Sequence, residues 1–158
     1  MDLETRHVEV AGIVREAYEK WMIQIVRHLT DAVDGFLIGK TYVIMDRDPV
    51  FTARVRGMLR HAGTKSVRLP RRSPNLNAFI ERFIRSIKEE CLDRVIPLGE
   101  AHLRELICEY MAHYHAERPH QGLGGTFIQP ANDHAADGPL VRRERLGGLL
   151  NYYYREAA

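Results

Sequence analysis

At 158 residues, 45% hydrophobic and 28% charged, the chain has the make-up of one globular domain, which excludes a wholly disordered chain, a collagen or a coiled-coil rod. The net charge of +2 hides an asymmetry: Arg54 to Arg94 holds eleven Lys or Arg against four acids, a net of +7, which leaves −5 for the rest. Apolar stretches such as Tyr42-Val43-Ile44-Met45 are too short to span a membrane, and the charged start Met1-Asp2-Leu3-Glu4-Thr5-Arg6 does not read as a signal peptide. A basic block in a near-neutral protein is the footprint of a polyanion, most often nucleic acid; the plainer reading is a solvated basic helix face. Cys91 and Cys108 form no CxxC pair and suggest a reducing compartment without a disulfide framework.

In chain order, His7 to Ile13 alternates loosely and reads as a strand. Tyr18, Trp21, Met22, Ile25, Val26 and Leu29 recur at three and four, which predicts a helix from Glu16 to about Val33, ended by Asp34-Gly35. Thr41 to Met45 is a continuous β-rich run, the pattern of a strand buried on both faces. Val50 to His61 is a helix capped by Gly63, and Ser66 to Leu69 a short strand. Pro70-Arg71-Arg72-Ser73-Pro74-Asn75 is a basic loop. A long helix follows from Asn77 to Val95, with Phe79, Ile80, Phe83, Ile84, Ile87, Cys91 and Leu92 as its buried stripe. Gly99 to His115 is a further helix, and a hairpin about Gly147-Gly148 is expected in the tail. Strands alternating with helices in this way define an α/β chain.

Two acids stand out by position. Asp46 directly follows the apolar run Tyr42–Met45, and strand ends are where α/β proteins place chemistry. Glu81 lies early in the long helix. Lys88, seven residues on, returns to nearly the same face about 10 Å further along the axis, with Arg85 between them. The alternatives are Asp48 in place of Asp46 as the functional acid, turn formation by both before Pro49, and an i,i+4 surface pair of Glu81 with Arg85.

In combination these residues resemble a known family. Asp46-Arg47-Asp48-Pro49-Val50-Phe51, Ser73-Pro74-Asn75-Leu76-Asn77-Ala78-Phe79-Ile80-Glu81-Arg82-Phe83 and Lys88 are similar to the integrase core of DDE transposases, the bacterial insertion-sequence and retroviral-type integrase superfamily. Asp46 and Glu81 are 35 positions apart, and Glu81 and Lys88 seven, as in that pattern. His113-Tyr114-His115-Ala116-Glu117-Arg118-Pro119-His120 resembles the family's closing stretch, so the likeness runs from Asp2 to about Leu123.

The resemblance implies an α/β fold of ribonuclease H-like type, a mixed sheet flanked by helices. It also implies metal-dependent cleavage and transfer of DNA strands. Asp46 and Glu81 become catalytic and metal-binding residues for two Mg²⁺ or Mn²⁺ ions, which suits hard carboxylate donors. Lys88, Arg85, Arg71 and Arg72 become contacts to DNA phosphates, which position the duplex without reading it. DNA is the expected partner, with self-association or a full-length transposase beside it and no membrane; the location is bacterial cytoplasm, at the nucleoid.

The family's triad is Asp, Asp, Glu, and its first Asp stands on a first strand that this chain does not match. Asp2-Leu3-Glu4-Thr5-Arg6 resembles the turn between the second and third strands. The expectation is therefore a C-terminal part of a transposase, lacking the first strand and most of the second, with an open sheet edge and no activity on its own. Residues 1–123 form its core and 124–158 a tail. The rival is a non-catalytic DNA-binding or oligomerising remnant. His113, His115 and His120 with Cys108 fit no standard zinc spacing and read instead as polar, partly stacked groups near DNA or in the structure. Tyr152-Tyr153-Tyr154 reads as a packing strand before a base-stacking platform.

Overall fold

The chain divides into two units, Glu9–Ala78 on the one hand and Met1–Val8 with Phe79–Ala158 on the other. The computed structural model describes residues 1–70, 77–130 and 137–156. It is a mixed α/β architecture of helices and two small sheets.

In the 9–78 unit, helix α1 (Glu19–Leu29) precedes strand β1 (Tyr42–Met45), helix α2 (Ala53–His61) and strand β2 (Lys65–Arg68). β1 and β2 pair in parallel, Tyr42 opposite Lys65 through Met45 opposite Arg68, with α2 as the crossover. Met22, Ile23 and Val26 of α1 meet Met45 of β1 and Val55 and Leu59 of α2 in one apolar cluster. Thr52 caps α2: its Oγ1 accepts the Val55 N–H at 3.3 Å and donates to Glu19 Oε1 at 2.6 Å, which ties the starts of both helices.

In the other unit, helices α3 (Ala78–Glu90) and α4 (Glu100–Ala116) are followed by the antiparallel strands β3 (Leu140–Arg145) and β4 (Leu150–Arg155). Gly147 and Gly148 both have positive φ, +65° and +89°, in the link between these strands, a conformation glycine adopts without a Cβ penalty. Phe83, Ile87 and Cys91 from the α3 side pack with Leu106, Tyr110 and Tyr114 of α4, Leu150 of β4 and Val8. Tyr114 meets Phe83 edge-on at 5.0 Å between ring centroids, the geometry aromatic quadrupoles favour.

Four expectations are corrected. His7 to Ile13 is not a strand, because the two described sheets are taken up by β1–β2 and β3–β4. Alternation alone forms no ladder; Val8 N–H instead donates to His115 Nε2 at 3.2 Å. Helix α1 is shorter than 16–33: Thr30 Oγ1 donates back to the Val26 carbonyl and Asp31 Oδ1 accepts the Val33 N–H, local bonds that compete with helix continuation. Third, β1 is not buried on both faces. Met45 is buried, but Tyr42, Ile44 and the neighbouring Val67 are 61, 38 and 42% exposed. A two-stranded sheet with helices on one side covers one face only. The long helix, fourth, is divided and less buried than expected: α3 stops at Glu90, a separate turn, Leu92–Arg94, follows, and Phe79 and Ile84 of the expected buried stripe are 46 and 43% exposed, because the core takes only the Phe83–Ile87 side of the helix.

Candidate functional site

Asp46 stands where β1 ends, exposed to solvent. Its Oδ1 accepts the Asp48 N–H at 3.1 Å, and Asp48 Oδ1 accepts the Val50 N–H at 2.9 Å. Both acids thus shape the turn into α2, as the plainer reading expected, and a carboxylate so engaged retains its second oxygen for a cation. Arg47 Nε donates to the Leu69 carbonyl at 2.8 Å, which ties this turn to the end of β2.

Glu81 lies in the first turn of α3 and Lys88 in its last, both exposed, as is Arg85. Glu81, Arg85 and Lys88 share the solvent side of the helix because Phe83 and Ile87 take the core side. An acid near the helix start and a base near its end also suit the helix dipole. Asp46 belongs to the 9–78 unit, whereas Glu81, Arg85 and Lys88 belong to the other. Arg71 and Arg72 lie outside the described residues. Elsewhere in the basic block Arg54 and Arg60 of α2 and Lys65 and Arg68 of β2 are exposed. Among the described residues no three His, Cys, Asp or Glu side chains are gathered as a metal-binding group.

The closing stretch forms a polar network that reading by motif alone did not foresee. Glu117 is 2% exposed. It accepts from Arg145 Nη2 at 2.7 Å and Nε at 2.9 Å, from Arg143 Nη1 at 3.3 Å and from His113 Nδ1 at 3.1 Å. Burial by itself would raise the Glu117 carboxyl, but the hydrogen bonds from Arg145, His113 and Arg143 outweigh it and bring it down to about 2. Glu90 accepts from Arg118 Nη2 at 2.8 Å and Nε at 3.1 Å, and from the Tyr110 hydroxyl at 3.2 Å. Burial, reinforced by Glu90, pushes the Tyr110 hydroxyl far up.

The three histidines have three separate roles. His113 serves Glu117. His115 accepts the Val8 N–H, and burial, then the neighbouring His7 and His120, lower its pKa to about 4. His120 donates from Nε2 to the Tyr114 carbonyl at 2.7 Å. Cys108 is exposed and Cys91 buried, both as free thiols. Each of the three histidines thus has a partner within the fold. The signal for the Glu117 hub was the i,i+4 spacing of His113 and Glu117; its arginines lie 26 and 28 residues away and left no local pattern.

Residues 62–126 match the family model of the integrase core domain. The resemblance carried by the motifs is thus shown over a stretch that includes Glu81, Arg85 and Lys88 of α3 and Arg118-Pro119-His120. The chain is also 30% identical, over 105 residues, to the insertion element IS407 uncharacterized 31.7 kDa protein of Burkholderia multivorans. That alignment takes in 63% of this chain and 37% of the relative, so the chain spans well under half the length of the curated relative it matches. No described helix is long and apolar enough to cross a membrane.

Proposed function

We propose that this chain acts in DNA transposition or integration, as a ribonuclease H-like, DDE-type integrase core with residues 1–123 as its catalytic part and 124–158 as its tail. The observation that carries the reading is the integrase-core match over 62–126 together with the seven-residue spacing of Glu81 and Lys88 on the exposed side of α3.

Asp46 and Glu81 supply hard oxygen donors of the kind divalent Mg²⁺ or Mn²⁺ prefers, and both are exposed. A bound pair of such ions supplies activation of an attacking water or 3′-hydroxyl and stabilisation of the leaving oxygen. Lys88 and Arg85 hold the strand by its phosphates, as do Arg71 and Arg72 in this reading, and so set its register rather than its sequence preference. Two of the family's three carboxylates have matches here, which favours a second reading: a DNA-binding or oligomerising role without strand transfer. DNA is the partner in both. Association of copies through the open β1–β2 face is part of the proposal, supported by the exposure of Ile44 and Val67. The setting is the bacterial cytoplasm at the nucleoid.

The test is binding of a labelled duplex across a salt series. Affinity is expected to fall linearly on a log–log plot and to vary little with sequence. Replacing Arg85 and Lys88 by Gln should reduce the slope by about one for each phosphate that the variant no longer neutralises. A slope that the double replacement leaves unchanged overturns the assignment of these two residues.

A further inference from the structure

Met1 and Arg6, α3 and the stretch from Tyr114 to Gly122 line a cavity of about 410 Å³ that the proposed metal and DNA residues do not use. Arg6, Arg82, Arg118, Ser86 and His120 line it, together with Phe79, and no acidic side chain does so among the described residues. Its size is in the range of pockets that take a small molecule.

Arg6 is held there against local cost. Its φ is +63°, a left-handed conformation uncommon outside glycine. The turn before it enforces this: Asp2 Oδ1 accepts the N–H groups of Glu4 and Thr5 at 2.9 and 2.8 Å, and Arg6 N–H donates to the Asp2 carbonyl at 3.1 Å. The guanidinium then lies over the Phe79 ring, 3.5 Å from its centroid. Its Nη1 is buried and has no hydrogen-bond partner among the described residues. A buried donor without a partner costs roughly 1–3 kcal/mol, more for a charged group. Strain and a desolvated donor at one residue facing one cavity are the marks of a site that a ligand completes.

The charge balance names the ligand class. Arg118 is matched by Glu90 at 2.8 Å. Arg6 and Arg82 have no carboxylate partner among the described residues, so the cavity carries two uncompensated guanidinium groups. A phosphomonoester carries about −1.5 to −2 at neutral pH and presents three acceptor oxygens. Guanidinium forks match those oxygens in pairs, and Ser86 offers a hydroxyl on the same face of α3 as Arg82. A single carboxylate would leave one positive charge unanswered. We infer that this cavity binds a phosphomonoester, carried either by a free nucleotide or by the end of a nucleic-acid strand. Asp46, Glu81 and Lys88 are not among its lining residues, so the proposal stands or falls without them.

Calorimetric titration of the 158-residue chain tests this with four probes: inorganic phosphate, a nucleoside 5′-monophosphate, and one short oligonucleotide with and without a 5′-phosphate. Inorganic phosphate and the mononucleotide should bind saturably. Arg6→Gln and Arg82→Gln should each weaken that binding about tenfold or more, the loss of a charged hydrogen-bonding pair. Arg82 is exposed, so its replacement tests the site without endangering the fold. Arg104→Gln, which removes an exposed arginine outside the cavity, controls for total charge. A tenfold preference for the phosphorylated oligonucleotide assigns the site to strand ends; equal binding of both oligonucleotides assigns it to free nucleotides. Absence of saturable phosphate and nucleotide binding, or binding that Arg82→Gln leaves within about twofold, overturns the proposal. Either failure leaves the salt-slope test of duplex binding intact, so the two readings fail separately.

Discussion

Arg145 grips Glu117 with two parallel bonds, Nη2 to Oε1 at 2.7 Å and Nε to Oε2 at 2.9 Å, across 28 residues of sequence. This pair joins strand β3 to the residue that follows α4. Glu117 is almost fully buried and Arg145 about one-fifth exposed, so the charge of one is compensated chiefly by the other. Arg145 also reaches Glu109 at 2.8 Å, one helical stretch earlier. The hairpin is thereby fastened to α4 by charge as well as by the apolar packing of Leu150.

Removing the carboxylate should be costly. Glu117→Ala leaves Arg145, Arg143 and His113 without their shared acceptor, and breaking a buried pair in this way costs about 3–5 kcal/mol. Because Arg143 and Arg145 can turn partly to water, about 2–4 kcal/mol is expected. Urea unfolding should show a lower midpoint with an unchanged m-value. A loss under about 0.5 kcal/mol would mean that the network adds no net stability.

Stability should fall as the medium is acidified, in two windows. His115 is held below its ordinary 6.5, at about 4, so between these values the unfolded chain binds a proton that the folded chain refuses. This contribution is complete above pH 6.5 and is lost as the pH falls toward 4; it is on the order of 2–3 kcal/mol. Glu117, brought from 4.5 to about 2, adds a second loss of the same sign below pH 4.5. His115→Gln, which can still accept the Val8 N–H, should flatten stability between pH 6.5 and 4 and leave the lower window in place. The measurement is unfolding free energy against pH for both proteins. An unaltered upper slope in His115→Gln would remove His115 as its source.

The proposed strand transfer depends on carboxylates that act as a unit. In the proposed reading Asp46 and Glu81 are two of three such carboxylates, and a unit of this kind without one member loses most of its rate. The expected result for residues 1–158 alone is DNA binding without detectable Mg²⁺- or Mn²⁺-dependent cleavage or transfer of an oligonucleotide. Robust activity that Asp46→Asn and Glu81→Gln each abolish would show that another residue of this chain completes the site.

The open face of the β1–β2 pair gives a prediction about association. Ile44 and Val67 are direct neighbours across the sheet and both are exposed. Replacing both by Thr keeps the β-branched shape that strands favour while making the face polar. Sedimentation should show concentration-dependent association of the original chain and less of it in the double replacement. Equal behaviour of the two would place any association elsewhere.

Local chemistry made much of the helical framework legible in advance. The stripe of Phe83 and Ile87 repeats at four and predicts the buried side of α3, and the same periodicity exposes Glu81, Arg85 and Lys88. The apolar run before Asp46 predicts a strand, and the spacing of Asp46, Glu81 and Lys88 carries the resemblance to an integrase core, which the match over 62–126 supports. The helix stripe and the strand depend on neighbours within a few turns, where geometry follows from the residue sequence; the motif spacing is read along the chain and needs no fold to be seen. Burial of a strand on two faces does not. The run Tyr42–Met45 has the composition of an interior strand, yet its exposure is decided by how many partners and layers surround it, and among the described residues it has one partner. His7 to Ile13 alternates like a strand and joins no ladder among the described residues. The roles of Glu117 and Arg6 were likewise decided only in three dimensions. Glu117 takes its charge partners from a hairpin more than twenty residues away, and Arg6 meets Phe79 across most of the first half of the chain. A charged side chain is stabilised or strained by what stands within a few ångströms of it, and for these residues that company is set by the tertiary fold.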